Sequence, residues 1–195
     1  MADIKKQATQ GLGAKDDGQP AARPLAGPTA AGSPLLFLRE EELRQGIEML
    51  FYSYRDFTSE PDVILAERNL GRAHHRVIYF VGRYPGMPVS DLLGILQITK
   101  QSLSRVLSQL VQEEYIVQKQ GTRDRRQRLL TLTDKGRQLE QELTSNQLDR
   151  IAKAFREAGA DAVEGFRKVM LGVMSSPGDR QRFDRPGAAP GNLSR

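Results

Sequence analysis

The chain has 195 residues, none of them cysteine and only two of them histidine. Without cysteine it can form no disulfide, no thiolate metal site and no cysteine redox switch. His74 and His75 are adjacent, and adjacent side chains on a helix point about 100° apart, which makes them poor co-ligands. We therefore expect no metal and no other cofactor. We expect the two histidines to contribute to packing, with contact to a small ligand as the alternative.

Long apolar runs are also missing. No run approaches the ~20 residues that a helix needs to cross a bilayer, and the mean hydropathy is −0.50. The first residues, MADIKKQATQGLGAKDDG, include no apolar region of a secretory signal. These absences predict a cytoplasmic protein without membrane contact.

Catalytic fingerprints are absent as well. The sequence contains no G-x-S-x-G motif, no phosphate-binding loop and no dinucleotide fingerprint. A nucleophile would have to be Ser, Thr, Lys or a carboxylate, and no arrangement of these indicates one. We therefore expect a protein that is not an enzyme.

What the sequence does contain is a concentration of positive charge. The net charge is +5 and the sequence pI is about 9.6. A basic balance permits nucleic-acid binding without showing it, so the distribution of the charge is the better evidence. Within ten residues there are five cations and a single acidic residue, Asp124; the cations are Lys119, Arg123, Arg125, Arg126 and Arg128.

Hydrophobic periodicity and turn residues divide the chain into a folded part and two tails. Residues 1–34 and 175–195 are rich in Ala, Gly, Pro and polar residues, and we predict that both are disordered. The folded part is 35–174. Four of its predicted helices cover 35–57, 72–83, 99–113 and 160–174. A short helix is predicted to begin at Ser59-Pro61-Asp62 and end near 69, and another is capped by Ser90 and ends at 96. A long helix is predicted to follow Thr133. Its predicted strands cover 87–89, 116–119 and 129–132.

The predicted helix 99–113 has two different faces. Its apolar stripe consists of Leu103, Val106, Leu107 and Leu110. The opposite stripe carries groups that can reach base edges in a major groove, namely Gln101, Ser104, Arg105 and Ser108, with Lys100 beside them. Thr99 would cap the helix and lie near the DNA backbone. A solvated helix face is the alternative, but the preceding helix and the basic hairpin that follows favour DNA recognition.

The basic loop between the last two predicted strands reads QGTRDRRQR. A hairpin tip is compact enough to enter a minor groove, where arginine senses groove width and negative potential. We assign Arg126 to the groove. We expect Asp124, two residues earlier, to hold its guanidinium by charge-assisted hydrogen bonds. Arg123, Arg125 and Arg128 would contact phosphates or support the loop. The alternative makes Asp124 a turn residue and the arginines solubilising charges.

These motifs resemble the MarR family of winged-helix transcription regulators. DRRQRLLTLTDKG (124–136) resembles the family's wing, ITKQSLSRVLSQLVQEEYI (98–116) its recognition helix, and GRAHHRVIYFVGRYPG (71–86) a subgroup of PetP-like regulators. The resemblance implies a mainly α fold with a small β-wing: a winged helix-turn-helix lobe at about 71–133, with dimerisation helices at about 35–57 and 133–174.

The resemblance also implies a function. A homodimer would read a pseudo-palindromic operator with helix 99–113 in the major groove and wing 119–129 in the minor groove, repress transcription, and release DNA on binding a small-molecule effector. A helical dimeric interaction module and a non-specific nucleic-acid binder are the alternatives. The family's layout also implies an effector pocket, formed by Tyr52, Tyr54, Arg55, His75, Arg76 and Tyr79. Ordinary packing of these residues is the alternative.

Two residues depart from the family pattern. Gln97 and Glu114 stand where the family often has glycine, before and after the recognition helix. Glycine adopts a left-handed backbone without cost, whereas a residue with a Cβ does not. Either the local backbone differs at these positions or the protein carries strain there.

Overall fold

The computed structural model describes residues 39–122 and 124–183. The architecture is mainly helical with one small antiparallel sheet, which confirms the predicted fold class. The helices are α1 (Glu40–Ala66), α2 (Arg72–Arg83), α3 (Val89–Leu96), α4 (Lys100–Gln112), α5 (Asp134–Ala158), α6 (Ala160–Val173) and α7 (Pro177–Gln181). The strands are β1 (Met87–Pro88), β2 (Ile116–Gln120) and β3 (Arg128–Leu132).

The sheet has the order β1-β3-β2 and is antiparallel throughout. Ile116 pairs with Leu132 and Gln120 with Arg128, so β2 and β3 form a hairpin whose tip is the basic loop. Met87 pairs with Leu130 on the other side of β3. The sheet closes over a core whose fully buried members include Val77, Ile78, Val81, Leu92, Leu103, Leu110, Ile116, Leu130 and Leu143.

Two predicted helix caps are confirmed. The Thr99 hydroxyl accepts a hydrogen bond from the Ser102 backbone N–H at 3.1 Å, and Thr133 accepts one from the Gly136 N–H at 3.0 Å. Such caps satisfy a backbone donor that the first turn leaves unpaired. The cap predicted at Ser90 is wrong, because α3 begins at Val89 and its N-cap is Pro88, two residues before Ser90.

The predicted break at Ser59-Pro61 is also wrong, because α1 continues through a buried Pro61. Proline has no N–H, so the carbonyl of Phe57, four residues earlier, loses its helical donor. The Gln147 side chain on α5 supplies the missing hydrogen bond, donating from Nε2 to that carbonyl at 3.1 Å. Gln147 is only 8% exposed. A contact with another helix thus compensates for a residue that would ordinarily end this one.

The C-terminal prediction needs correction too. Disorder was predicted from residue 175 onward, yet Pro177–Gln181 form the short helix α7, which Ser176 caps by accepting from the Asp179 N–H at 3.3 Å. The predicted disorder of residues 1–34 lies outside the described residues. Within the described part of the chain, every helix is too short or too polar to span a membrane.

Candidate nucleic-acid interface

The helix α4 buries its apolar stripe and exposes its polar one. Leu103, Leu107 and Leu110 lie in the core. The five residues predicted to reach bases are all exposed: Lys100, Gln101, Ser104, Arg105 and Ser108. The amphipathic pattern of the sequence therefore fixes which side of α4 faces outward.

A side-chain network that the sequence did not indicate ties α4 to α2. The His74 Nδ1 accepts a hydrogen bond from the Gly71 N–H at 3.0 Å, so its Nε2 is the donor toward the Gln109 Oε1 at 2.9 Å. The Gln109 amide then donates to the Glu113 carboxylate at 2.8 Å and to the Asn69 carbonyl at 3.3 Å. His74 is thus a structural residue, as expected, and Gln109 anchors the buried side of α4.

The wing is ordered by its backbone. The Gly121 N–H donates to the Gln127 carbonyl at 3.0 Å, the Gln127 N–H donates to the Asp124 carbonyl at 3.1 Å, and the Gln120 side chain donates to the Arg125 carbonyl at 2.6 Å. A Cβ at Gly121 would lie 2.6 Å from the Asp124 carbonyl oxygen. Only glycine therefore lets the two sides of the loop approach this closely.

The predicted role of Asp124 is wrong in one respect. Its carboxylate accepts from the backbone N–H of Arg126 at 2.9 Å, rather than from the guanidinium. This is an Asx turn, in which a short carboxylate bonds to the backbone two residues ahead. Asp124 and Arg126 lie in the turn and do not share a strand face. Asp124 consequently shapes the loop, and among the described residues no carboxylate bonds to the Arg126 guanidinium.

The described wing cations have no acidic partners among the residues that the structure describes. Arg125, Arg126 and Arg128 are exposed, and no carboxylate in residues 39–122 or 124–183 forms an ion pair with them, with Lys100 or with Arg105. Arg123, predicted to contact phosphate, lies outside the described residues. Cations left without carboxylates remain available for an external anion.

A cleft of about 550 Å³ lies between α4 and the wing. It brings together Lys100, Ser104 and Ser108 from α4 with Arg126 and Arg128 from the wing. Gln101 and Arg105 do not line it. The predicted base-reading face and the predicted groove-reading loop thus share one concave surface.

Three polar residues of this cleft were missed by the sequence argument: Ser90, Gln118 and Gln127. Gln118 follows the buried Ile116 by two residues and so belongs to the same strand face. The alternation of side chains along the predicted strand could therefore have placed Gln118 on this face. Ser90 lies in the first turn of α3 and lines the cleft; no local signal in the sequence indicated this position.

The joint between α4 and β2 explains the unusual Glu114. Its φ is 61°, in the left-handed region, and Gln97 before α4 is also left-handed at 50°. The position is held by the Thr133 hydroxyl, which donates to the Glu114 carbonyl at 2.6 Å. Lys135 donates to the Glu113 carbonyl at 2.7 Å, with its ammonium 4.3 Å from the Tyr115 ring centroid. Each left-handed residue costs ~1 kcal/mol, and these contacts hold the costly conformation at Glu114.

Comparison with known proteins now identifies the family. Residues 68–127 match the model of the MarR family. The HTH-type transcriptional regulator PetP of Rhodobacter capsulatus is 48% identical over 152 residues, which cover 78% of this chain and 91% of that protein. The chain belongs to the MarR family. It is therefore a transcription regulator and not an enzyme.

Solved MarR-type structures share the fold. Streptococcus pneumoniae FabT, solved in complex with DNA, superposes with a TM-score of 0.60 at 19% identity, covering 67% of this chain and 94% of that one. A MarR protein from Peptoclostridium difficile gives 0.56 at 16% identity, with coverages of 79% and 97%. At such low identity the likeness establishes the winged-helix fold alone.

The residues predicted to form the family's effector pocket lie on α1 and α2 and divide into separate contacts. The Arg55 guanidinium lies 5.0 Å from the Tyr52 ring centroid and bonds to Asp56. The Arg72 guanidinium lies 5.6 Å from the Tyr54 ring centroid, and its Nη2 donates to the Asp62 carboxylate at 2.6 Å. Arg76 and Tyr79 are exposed, and the α4–wing cleft includes none of the predicted pocket residues.

His75, the remaining member of that set, is half-buried. Burial lowers the pKa of its imidazole, and the neighbouring Arg76 charge acts in the same direction, while Asp62 opposes both. The neutral imidazole is therefore favoured in the folded MarR lobe. In the described residues, no group of three or more His, Asp or Glu side chains could hold a metal ion.

Proposed function

We propose that this MarR-family regulator binds a pseudo-palindromic operator as a homodimer and represses transcription. The observation that carries the proposal is the cleft in which the outward face of α4 and the wing arginines meet. Its cations lack acidic partners among the described residues. Its α4 groups are hydroxyl and ammonium groups, and Gln118 and Gln127 add amides, all types that read bases or hold phosphates.

In this proposal helix 99–113 enters the major groove and wing 119–129 the minor groove. The exposed α4 residues named above contact base edges, Arg126 enters the minor groove, and Asp124 orders the wing. The backbone contacts come from Thr99, Arg123, Arg125 and Arg128. FabT, which shares the fold, has been solved in complex with DNA, and this supports DNA binding by the fold. Action on operator DNA would place the protein in the cytoplasm.

Exposed apolar side chains support the homodimer. Ile47 on α1 is 68% exposed, Leu148 on α5 is 63% exposed, and Val169 on α6 is 64% exposed. Large apolar patches of this kind usually mark an association surface. A twofold dimer joined there would set two recognition helices about 34–36 Å apart, one turn of DNA.

Effector release completes the proposal. The aromatic and basic groups of the predicted effector pocket, from Tyr52 to Tyr79, lie on α1, in the proposed dimerisation region, and on α2, in the DNA-binding lobe. We assign to them the binding of a small molecule that lowers operator affinity. Isothermal titration of candidate ligands against the free and operator-bound protein tests this, since a true effector must bind the free form more tightly.

Fluorescence anisotropy tests the central claim. The full chain is titrated against a duplex from its own upstream region and against a scrambled duplex of equal composition, at several salt concentrations. We expect the operator to bind at least ~10³-fold more tightly than the scrambled duplex. Equal affinity would identify a non-specific binder, and no binding an interaction module. Sedimentation at micromolar concentration must show a dimer, and a reporter driven by the upstream region must be repressed.

A further inference from the structure

The C-terminal segment touches the turn of the helix-turn-helix. Gln97 ends α3, and its Nε2 donates to the Asp179 carboxylate of α7 at 3.4 Å, across 82 residues of sequence. Gln97 is also the left-handed residue that stands where glycine would be free of strain. A residue with an unfavourable left-handed backbone thus also makes a contact that is distant in sequence.

The segment around α7 is internally connected. Ser176 caps the helix, and the Arg180 guanidinium donates from Nε to the Met174 carbonyl at 2.7 Å. The Asp179 carboxylate also accepts from the Arg182 Nε at 3.3 Å. Asp179 therefore joins the internal bonds of the segment to Gln97.

Burial indicates that this segment is docked. The Arg182 side chain is only 19% exposed, and its Nη1 is buried without a hydrogen-bond partner among the described residues. An isolated helix of five residues is not stable in water, because nucleation costs more than so few hydrogen bonds return. The body of the protein must cover Arg182 and hold α7 in place.

We propose that residues 175–183 form a brace docked on the helix-turn-helix, and that Gln97 is the positioning residue that holds it. The brace would fix the end of α3 and, through the turn, the entry of α4. A glycine at position 97 would relieve the backbone strain but would lose this contact. The consequence for DNA rests on the proposed function; the docking itself does not.

Hydrogen exchange of the full-length free protein tests the docking without DNA. Gln97→Glu keeps the size and backbone preference but sets a second carboxylate against Asp179. We expect the amides of residues 179–183 to exchange about tenfold faster, as loss of a hydrogen bond to a charged group allows. Adding Asp179→Asn restores a donor–acceptor pair and should return the slow exchange. Gln138→Glu, the same change on the exposed face of α5, should leave these amides unaffected.

Unchanged exchange in Gln97→Glu, or a failure of Asp179→Asn to rescue it, would overturn the brace. Operator titration is the second arm. Gln97→Glu should weaken operator binding several-fold and the double variant should recover it. If amide exchange changes as expected but neither the wild type nor any variant binds the operator selectively, the brace stands and the proposed function fails. If exchange responds and selective binding is equal in all variants, the brace does not position the helix-turn-helix.

Discussion

Arg126 offers the sharpest test of how this regulator contacts DNA. Its side chain is exposed, has no acidic partner among the described residues and lines the cleft opposite α4. A cation that contacts DNA releases condensed counterions, so the logarithm of affinity falls with the logarithm of salt concentration by ~0.9 per neutralised phosphate. Removing this charge should therefore change the salt slope as well as the affinity.

The size of the effect follows from the proposed dimer. Arg126→Ala removes two contacts per operator complex, which lowers the slope by about 1.8. When salt is raised from 50 to 200 mM, the factor by which affinity falls should therefore be about ten times smaller for the variant than for the wild type. Anisotropy titration across that range measures both slopes from the same samples.

Arg125→Ala is the matched control. It makes the same charge change in the same loop, but Arg125 does not line the cleft. Because Arg125 is proposed to contact phosphate, Arg125→Ala should lower the slope by a similar amount but weaken the operator and the scrambled duplex equally. Arg126→Ala should weaken the operator more than the scrambled duplex, because a minor-groove arginine responds to groove width. Equal slopes for Arg126→Ala and the wild type would refute the assignment of Arg126, and equal losses on both duplexes for both substitutions would reduce the wing to a diffuse positive charge.

Three other predictions concern specificity and stability. Gln101→Ala should relax base preference at one position per half-site, by ~1–3 kcal/mol for a bidentate contact, whereas an equal loss on all sequences in a binding-site selection would make it a positioning residue. Gln147→Leu should lower the free energy of unfolding by ~1–3 kcal/mol in urea titration, because the Phe57 carbonyl beneath Pro61 loses its donor; an unchanged midpoint would contradict this. His75→Gln should make the free energy of unfolding less dependent on pH. The pKa of His75 in the folded protein lies below its ordinary 6.5, so the unfolded chain takes up the proton first and the wild type loses stability as pH drops through 6.5. Urea titration of both proteins at several pH values measures this, and parallel pH dependences would contradict that cause.

Local signals predicted the elements that form the proposed DNA interface. The period of the apolar residues placed α4 correctly, and Thr99 and Thr133 capped the helices that they were expected to cap. These features depend on neighbours within four residues, which a sequence displays directly. The winged-helix fold followed from their order along the chain.

The errors occurred where distant contacts decide. Pro61 looked like a helix start because its compensating donor, Gln147, lies 86 residues further on. The short α7 was missed because its partner Gln97 lies 82 residues earlier. The error at Asp124 has a local cause: the chain turns there, so the carboxylate accepts from the backbone N–H of Arg126 and not from its guanidinium.

The long helix α5 contacts both the joint between α4 and the wing and the Pro61 region of α1. Its first turn holds the joint between α4 and the wing, and a Cβ at Gly136 would lie 2.0 Å from the Tyr115 carbonyl oxygen, so the two backbones are in direct contact there. Further along the same helix, Gln147 completes the hydrogen bonding of α1 at Pro61. The strained Glu114 is therefore fixed by the helix that also bonds to α1. Contacts from the start of α5 thus hold Glu114 in its left-handed conformation without a glycine at that position.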